Sequence, residues 1–408
     1  MADAQLIGQL IAYHRKRLGL SQVELAGLIG RSDSWVSQVE RGVRAIDRLS
    51  VLQKVADVLG VPVDELRGGE SDDSPVAAER PGAFDALRLV LTGHPAIDVA
   101  LASGDQALTG ERLDQFRKQH EQVWPMVHSS RYSDLAPIVT SLIPALERAV
   151  RVTDDADLVD SAREILSDTY QAVSAMMGKL GESDAAWIAA DRAAFVAEAQ
   201  HDSLALAASL FRMAHVFLSL SQITQAQVVA QAAAESLKER AATDAAPQVL
   251  SLWGAFHLVL AIAAARDNDR VQAHEQLHIA REIAARIGED RNDFGTEFGP
   301  TNVELHAVGV AVELGDAGEA LDLARGIDPE ALSAERQARY LLDVAQAHAM
   351  RRQVGEALRC LEQAERLTPE QTRSHRAAQT VVRDLVQLSG ARARPELHQM
   401  AERFGVVP

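Results

Sequence analysis

Residues 20–42, LSQVELAGLIGRSDSWVSQVERG, constrain the chain most, because capping and turn residues stand there at fixed offsets. Ser21 and Glu24 have the spacing of a capping box, in which a hydroxyl and a carboxylate satisfy the orphan N–H groups at a helix start. The helix carries Val23, Leu25, Ala26 and Ile29, then ends at Gly30, which supplies the left-handed turn that a β-carbon resists. Ser32 caps a second helix, with Val36 and Val39 inward and Asp33, Ser34, Ser37 and Gln38 outward. Small Ala26 lets the two helices approach closely. The pair reads as a helix-turn-helix, whose second helix lies in the major groove of DNA. An ordinary helical hairpin would explain the apolar spacing but not the outward Ser–Gln face.

Residues 6–18 supply a preceding helix, with Leu6, Ile7, Leu10, Ile11 and Leu18 on its apolar side. A helix over 48–59 and a short turn at 61–66 follow. Arg31, Arg41, Arg44 and Arg48 surround the second helix of the motif, as phosphate contacts would. On these residues the stretch 6–66 resembles the Xre-type, phage-repressor-like DNA-binding domains. The resemblance implies a lambda-repressor-like fold in which Gln22, Asp33, Ser34, Ser37 and Gln38 face DNA. It also implies that Arg15 pairs with Glu40, tying the first helix to the recognition helix. Two positions depart from the pattern: Asp33 sets a carboxylate near phosphates, and Trp35 stands where small polar residues are usual.

Net charge is −17, a value at odds with nucleic-acid binding until the chain is divided. Residues 1–67 carry +1 and the remainder −18, so the long C-terminal part is expected to avoid nucleic acid. The chain is Ala-rich with 4% aromatics, and its Pro and Gly cluster between apolar-periodic segments, a pattern that predicts an all-α protein. One cysteine, Cys360, rules out an intramolecular disulfide and fits a reducing cytoplasm. The N-terminus lacks the basic start and apolar run of a signal peptide. The most apolar stretch, 249–265, is short for a membrane span and reads as a buried helix, so no membrane partner is expected.

The expected organisation is a head at 1–67, a flexible Gly/Ser/Pro-rich linker at 68–82, a helical connecting segment at 83–150 and a helical repeat domain at 151–408. The repeat shows in small residues at corresponding places: Ala186, Ala226, Ala273, Ala320 and Ala357, each near the start of a second helix. The offsets resemble the tetratricopeptide repeat, which implies an α-solenoid with a concave face. The order of head and repeats resembles a family of actinobacterial transcriptional regulators, most closely in GRSDSWVSQVERGVRAIDRLSVL and FGPTNVELHAVGVAVELGDAGEAL. That resemblance implies transcription control with sensing or partner binding in the repeats. Residues 288–302, with Phe294, Phe298 and three Gly, interrupt the array; they read either as a binding-face insertion or as a connector whose Phe residues plug the core.

His274-Glu275-Gln276-Leu277-His278 matches HExxH, the two-His zinc arrangement of a metallopeptidase, with Glu297 at a third-ligand spacing. Ala273, Leu277 and Ala280 instead occupy packing positions of the third repeat. The reading is therefore of a non-enzyme with no catalytic residues, metal or cofactor; a zinc metallopeptidase or a protein-binding scaffold are the rival classes. One head covers only a half-site, which predicts a homodimer on a palindromic operator in double-stranded DNA. With the small residues as register, the concave face carries Gln171, Arg212, His215, Asn302, His306, Arg339, Asp343 and Gln346. These polar groups are suited to a peptide or small-molecule effector.

Overall fold

The computed structural model describes residues 2–44, 46, 49–61, 63–66, 82–92, 107–243, 245–389 and 394–406. Arg48 and the predicted linker lie outside them, except for Gly82, which starts a helix. All regular structure among the described residues is helical. The all-α expectation holds, with a helix-turn-helix head followed by a long helical, repeat-like body.

The head contains α1 (Ala2–Arg17), α2 (Gln22–Ile29), α3 (Asp33–Glu40), α4 (Leu49–Leu59) and α5 (Val63–Leu66). The capping box forms as the spacing predicts: Ser21 Oγ accepts the Glu24 N–H at 3.1 Å, and Glu24 accepts the Ser21 N–H at 2.8 Å. Gly30 ends α2 at φ 67°, and Ser32 Oγ accepts the Trp35 N–H at 3.1 Å to start α3. Ile11, Leu25, Ala26, Ile29, Val36, Val39, Leu52, Val55 and Leu59 form one apolar core. Leu6 and Val23, apolar by type, point instead to solvent. Helices α1 and α3 cross at Gly8, where a β-carbon would stand 2.2 Å from the Val39 carbonyl oxygen. Only glycine permits that crossing.

The body opens with α6 (Gly82–Thr92), α7 (Gly110–His120), α8 (Val123–His128) and α9 (Tyr132–Val152). Five helical hairpins follow. They are α10 (Ala156–Lys179) with α11 (Ser183–Ala199), α12 (Ser203–Ser219) with α13 (Ile223–Thr243), and α14 (Pro247–Arg266) with α15 (Arg270–Ile287). Then come α16 (Pro300–Glu313) with α17 (Ala317–Ala324), and α18 (Ala334–Met350) with α19 (Val354–Leu367). Among the described residues three further helices follow: α20 (Pro369–Ser374), α21 (Arg376–Ser389) and α22 (Pro395–Arg403).

Each hairpin turns on one left-handed residue: Gly181, Ser221, Asn268, Gly315 and Arg352, with φ between 57° and 85°. The next N–H in each case returns to a carbonyl five residues back: Glu182 to Met177, Gln222 to Phe217, Asp269 to Ala264, Asp316 to Ala311 and Gln353 to His348. This bond satisfies a carbonyl that the helix end would otherwise leave without a partner. Five residues beyond each left-handed position stands Ala186, Ala226, Ala273, Ala320 or Ala357, and all five are fully buried. An alanine there removes the bulk that would hold the two helices of a hairpin apart.

Helix α14 is the one described helix long and apolar enough to cross a membrane. In this structure 83% of its apolar window is buried inside the protein, so it serves as a core helix. Phe298 plugs the same core: it is fully buried, and a β-carbon on Gly254 of α14 would meet its ring at 2.0 Å. Of the two readings of the 288–302 stretch, Phe298 follows the plug.

The array curls back on itself. Ser130 and Tyr132, at the start of α9, donate to Gln371 Oε1 of α20 at 2.7 and 2.8 Å. Lys179 at the end of α10 reaches Glu335 of α18 at 3.0 Å. The start of α9 thus meets the helix that follows the last hairpin, while the first hairpin meets α18 directly.

Candidate nucleic-acid interface and interior polar site

The exposed face of α3 is set from behind by a charged brace. Arg15 Nε and Nη2 meet the two Glu40 carboxylate oxygens at 2.5 and 2.9 Å, and Nη1 donates to the Leu20 carbonyl at 2.6 Å. Such a two-point contact fixes direction as well as distance. Gln22 Nε2 donates to Glu40 Oε2 at 2.8 Å, so its amide nitrogen belongs to the brace and its carbonyl remains for a partner. Asp33 and Ser34 are exposed, and Ser37 and Gln38 are half-buried along the outward stripe. The Gln38 carbonyl accepts the N–H groups of Val43 and Arg44 at 3.0 and 3.1 Å, folding the loop that carries Arg44 against α3.

Arg41 Nε donates to the Ser37 carbonyl at 3.2 Å, and Arg31 lies 5.5 Å from the centre of the Trp35 ring. Trp35 thus supports a basic side chain. Asp33 occupies the first turn of α3, where the helix dipole favours a carboxylate. The arrangement presents short polar groups flanked by exposed Arg31, Arg41 and Arg44.

The structure brings five of the predicted effector residues, Arg212, His215, His306, Arg339 and Asp343, within electrostatic reach of one another. Gln171 on α10, Arg212 and His215 on α12, Asn302 and His306 on α16, and Arg339 and Asp343 on α18 all lie on the first helix of a hairpin. Gln346 is half-buried further along α18. Arg339 Nη2 pairs with Asp343 at 3.2 Å, and its Nη1 lies 3.2 Å from His375 Nε2. Burial holds the imidazoles of His306 and His375 down to about 3, with Arg336 and Arg339 adding to it at His306 and Arg339 at His375. Burial pushes His215 well below its ordinary value too, helped by Arg336 and Arg212. The histidines here are neutral.

Arg212 differs from the other interior cations in forming no ion pair among the described residues. Its Nη2 donates to the Phe294 carbonyl at 2.5 Å, and its guanidinium lies 4.9 Å from the Trp124 ring centre and 5.1 Å from that of Phe211. Burial, with Arg336 nearby, lowers its pKa to about 10. Arg212 Nε, Gln171 Oε1 and Asn302 Oδ1 are buried with no hydrogen-bond partner among the described residues. Trp124 is half-buried against the core of the first helices, and its ring also serves as a platform for Arg212.

Sequence reasoning missed Lys179, Glu335 and Arg336, and singled out Glu297 only as a third metal ligand. Glu335 is 4% exposed and pairs with Lys179, and Arg336 lies 3.4 Å from Glu297 and 3.6 Å from Glu335. Burial alone would raise the Glu335 carboxyl, but Lys179 and Arg336 hold it far below the carboxylate range. The signal was available on α18, where Glu335, Arg336, Arg339, Asp343 and Gln346 recur at helical spacing. A surface groove beside Glu111, Arg112 and Phe116 lies elsewhere and contains none of these residues.

His274, Glu275 and His278 are exposed on α15, with His278 beside Glu282 at 3.4 Å. Glu297 is occupied by Ser333, whose N–H and hydroxyl it accepts at 3.0 and 2.8 Å. His278 and the suggested third ligand thus have separate partners.

Residues 6–67 match the family model of a helix-turn-helix domain. Over 66 residues the chain is 39% identical to the HTH-type transcriptional regulator SlrR of Bacillus subtilis (strain 168). The match covers 16% of this chain and 43% of that protein, so the chain spans less than half of the relative's length. With the capped helix pair and its outward polar face, these matches identify residues 6–67 as a helix-turn-helix domain.

Proposed function

We propose that this chain is a sequence-specific, DNA-binding transcriptional regulator whose helical body senses an effector. The observation that carries the reading is the α3 face: Ser34, Ser37 and Gln38 outward, braced through Arg15–Glu40, in a domain similar to that of a transcriptional regulator. Ser37 and Gln38 read base edges, and Gln22, Asp33, Ser34 and Trp35 line the same face. Arg31, Arg41, Arg44 and Arg48 position the head on phosphates. The protein acts as a homodimer on a palindromic operator, because one recognition helix covers a half-site. The body is a tetratricopeptide-like solenoid of the kind found in actinobacterial regulators, an assignment supported by the repeated turn and alanine register.

The effector is a peptide or small molecule bearing a carboxylate. Arg212, buried without an anion, supplies its principal contact, and Gln171 and Asn302 supply donors and acceptors. His215, His306, Arg339, Asp343 and Gln346 complete the lining. Selection from a random-sequence duplex pool tests the DNA reading. The wild type should enrich a palindrome that Gln38→Ala fails to enrich; enrichment of no motif by the wild type would refute it. For the sensor reading, Arg212→Ala with Asn302→Ala should abolish the response to inducing cell extract without changing effector-free DNA affinity.

A further inference from the structure

The head is seated on the body by a specific set of contacts, although its linker composition predicts independence. Arg17 Nε lies 3.0 Å from Asp384 Oδ2 on α21, and the two side chains are only 5% and 3% exposed. Lys16 Nζ donates to Asn268 Oδ1 at 2.5 Å and lies 3.5 Å from the Leu314 carbonyl. Gly19, at φ 64°, lies so close to Met350 that a β-carbon would stand 2.0 Å from its carbonyl oxygen. Gly60 lies against the side-chain amide of Gln387 on α21. Three of these landing points, Asn268, Leu314–Gly315 and Met350, lie at the turns of successive hairpins.

Two body elements reach both the head and the interior site. Helix α18 carries Glu335, Arg336, Arg339 and Asp343 inside and ends at Met350, against Gly19. Helix α21 begins after His375, which contacts Arg339, and carries Asp384, which holds Arg17. We propose that this seam is the device by which the interior site sets the position of the DNA-binding head. A ligand that redraws the Arg339–Asp343–His375 contacts shifts α18 or α21, and either shift moves the footing of α1. The proposal rests on the sensor reading of the interior.

A buried ion pair suits such a device better than an apolar contact. Removing one partner leaves an uncompensated buried charge, so the joint is sharply defined in register rather than loosely stabilised. Packed elements with two discrete arrangements carry coupling of this kind, and the physical warrant for it is a measured coupling. A double-mutant cycle supplies that measurement without an effector.

The full-length protein, Asp384→Asn, Arg339→Ala and the double variant would be compared by hydrogen exchange at Leu18–Leu20, with α14 amides as the internal report of an intact body. Each single change should speed exchange at Leu18–Leu20 at least tenfold while α14 stays protected. The double should fall well short of the product of the two. If Asp384→Asn loosens α14, Lys16→Ala replaces it, since that change opens the seam from its more exposed edge. Effects that simply multiply, or no effect of Arg339→Ala at Leu18–Leu20, would overturn the proposal. Because the cycle needs no effector, a missing response to cell extract would count against the sensor reading alone.

Discussion

Arg212 and the neutral histidines around it show how single residues in this interior depart from their solution behaviour. His306 and His375 are held down to about 3 by burial, and His128 to about 4 for the same reason. Below about pH 6.5 these imidazoles take protons in the unfolded chain but not in the folded one, so stability falls as pH falls from about 6.5 toward the folded values. Glu335 has the opposite timing. Its depressed carboxyl contributes stability that is lost only below the ordinary carboxylate range, so it does not act in this window. The thermal midpoint should therefore decline between pH 7 and pH 5, and His306→Gln with His375→Gln should flatten the decline. An unchanged slope in that variant would show that other groups govern it. At the DNA face, Gln38→Ala should lower specific affinity by roughly 1–3 kcal/mol, whereas Arg44→Ala should lower the salt slope by about one. Equal loss by Gln38→Ala on specific and random DNA would remove it from base reading.

Elements were legible wherever short-range chemistry decides them. The capping box, the Gly30 stop and the Ser32 cap appear in the structure as their offsets require. The alanine register was equally legible, because close helix approach needs a small residue at each hairpin. The turns five residues earlier were harder to read: three of the five left-handed positions are Ser221, Asn268 and Arg352 rather than glycine. Helix packing on both sides imposes that conformation on them. A non-glycine residue there carries a penalty of roughly 1–2 kcal/mol, so Ser221→Gly should stabilise the body by up to about 1 kcal/mol after the entropic cost of glycine. Denaturant midpoints would decide it, and a fall in stability would mean that the Ser221 side chain compensates. Phe298 fills the space above Gly254, and Phe298→Ala should cost about 3–5 kcal/mol. A loss below about 1 kcal/mol would mean that the site collapses around the cavity.

At the scale of the whole molecule, sequence composition separates a head near neutrality from a strongly acidic body, and the fold keeps that division. The seam between them was not legible, since Lys16 meets Asn268 and Arg17 meets Asp384 across 252 and 367 positions of chain. A single sequence carries no signal of such pairings, and the Gly/Ser/Pro-rich 68–82 stretch suggested two independent parts. The curl that brings Lys179 to Glu335 was hidden for the same reason, although the residues lining the interior could be chosen from the hairpin register. The central claim is that the braced α3 face directs this protein to particular DNA sites. Genome-wide DNA occupancy, mapped for the wild type and Gln38→Ala expressed at equal levels, tests it most directly. The account predicts discrete wild-type sites sharing one palindromic motif, most of them lost in the variant; diffuse occupancy without a shared motif, or the same sites in both proteins, would contradict it.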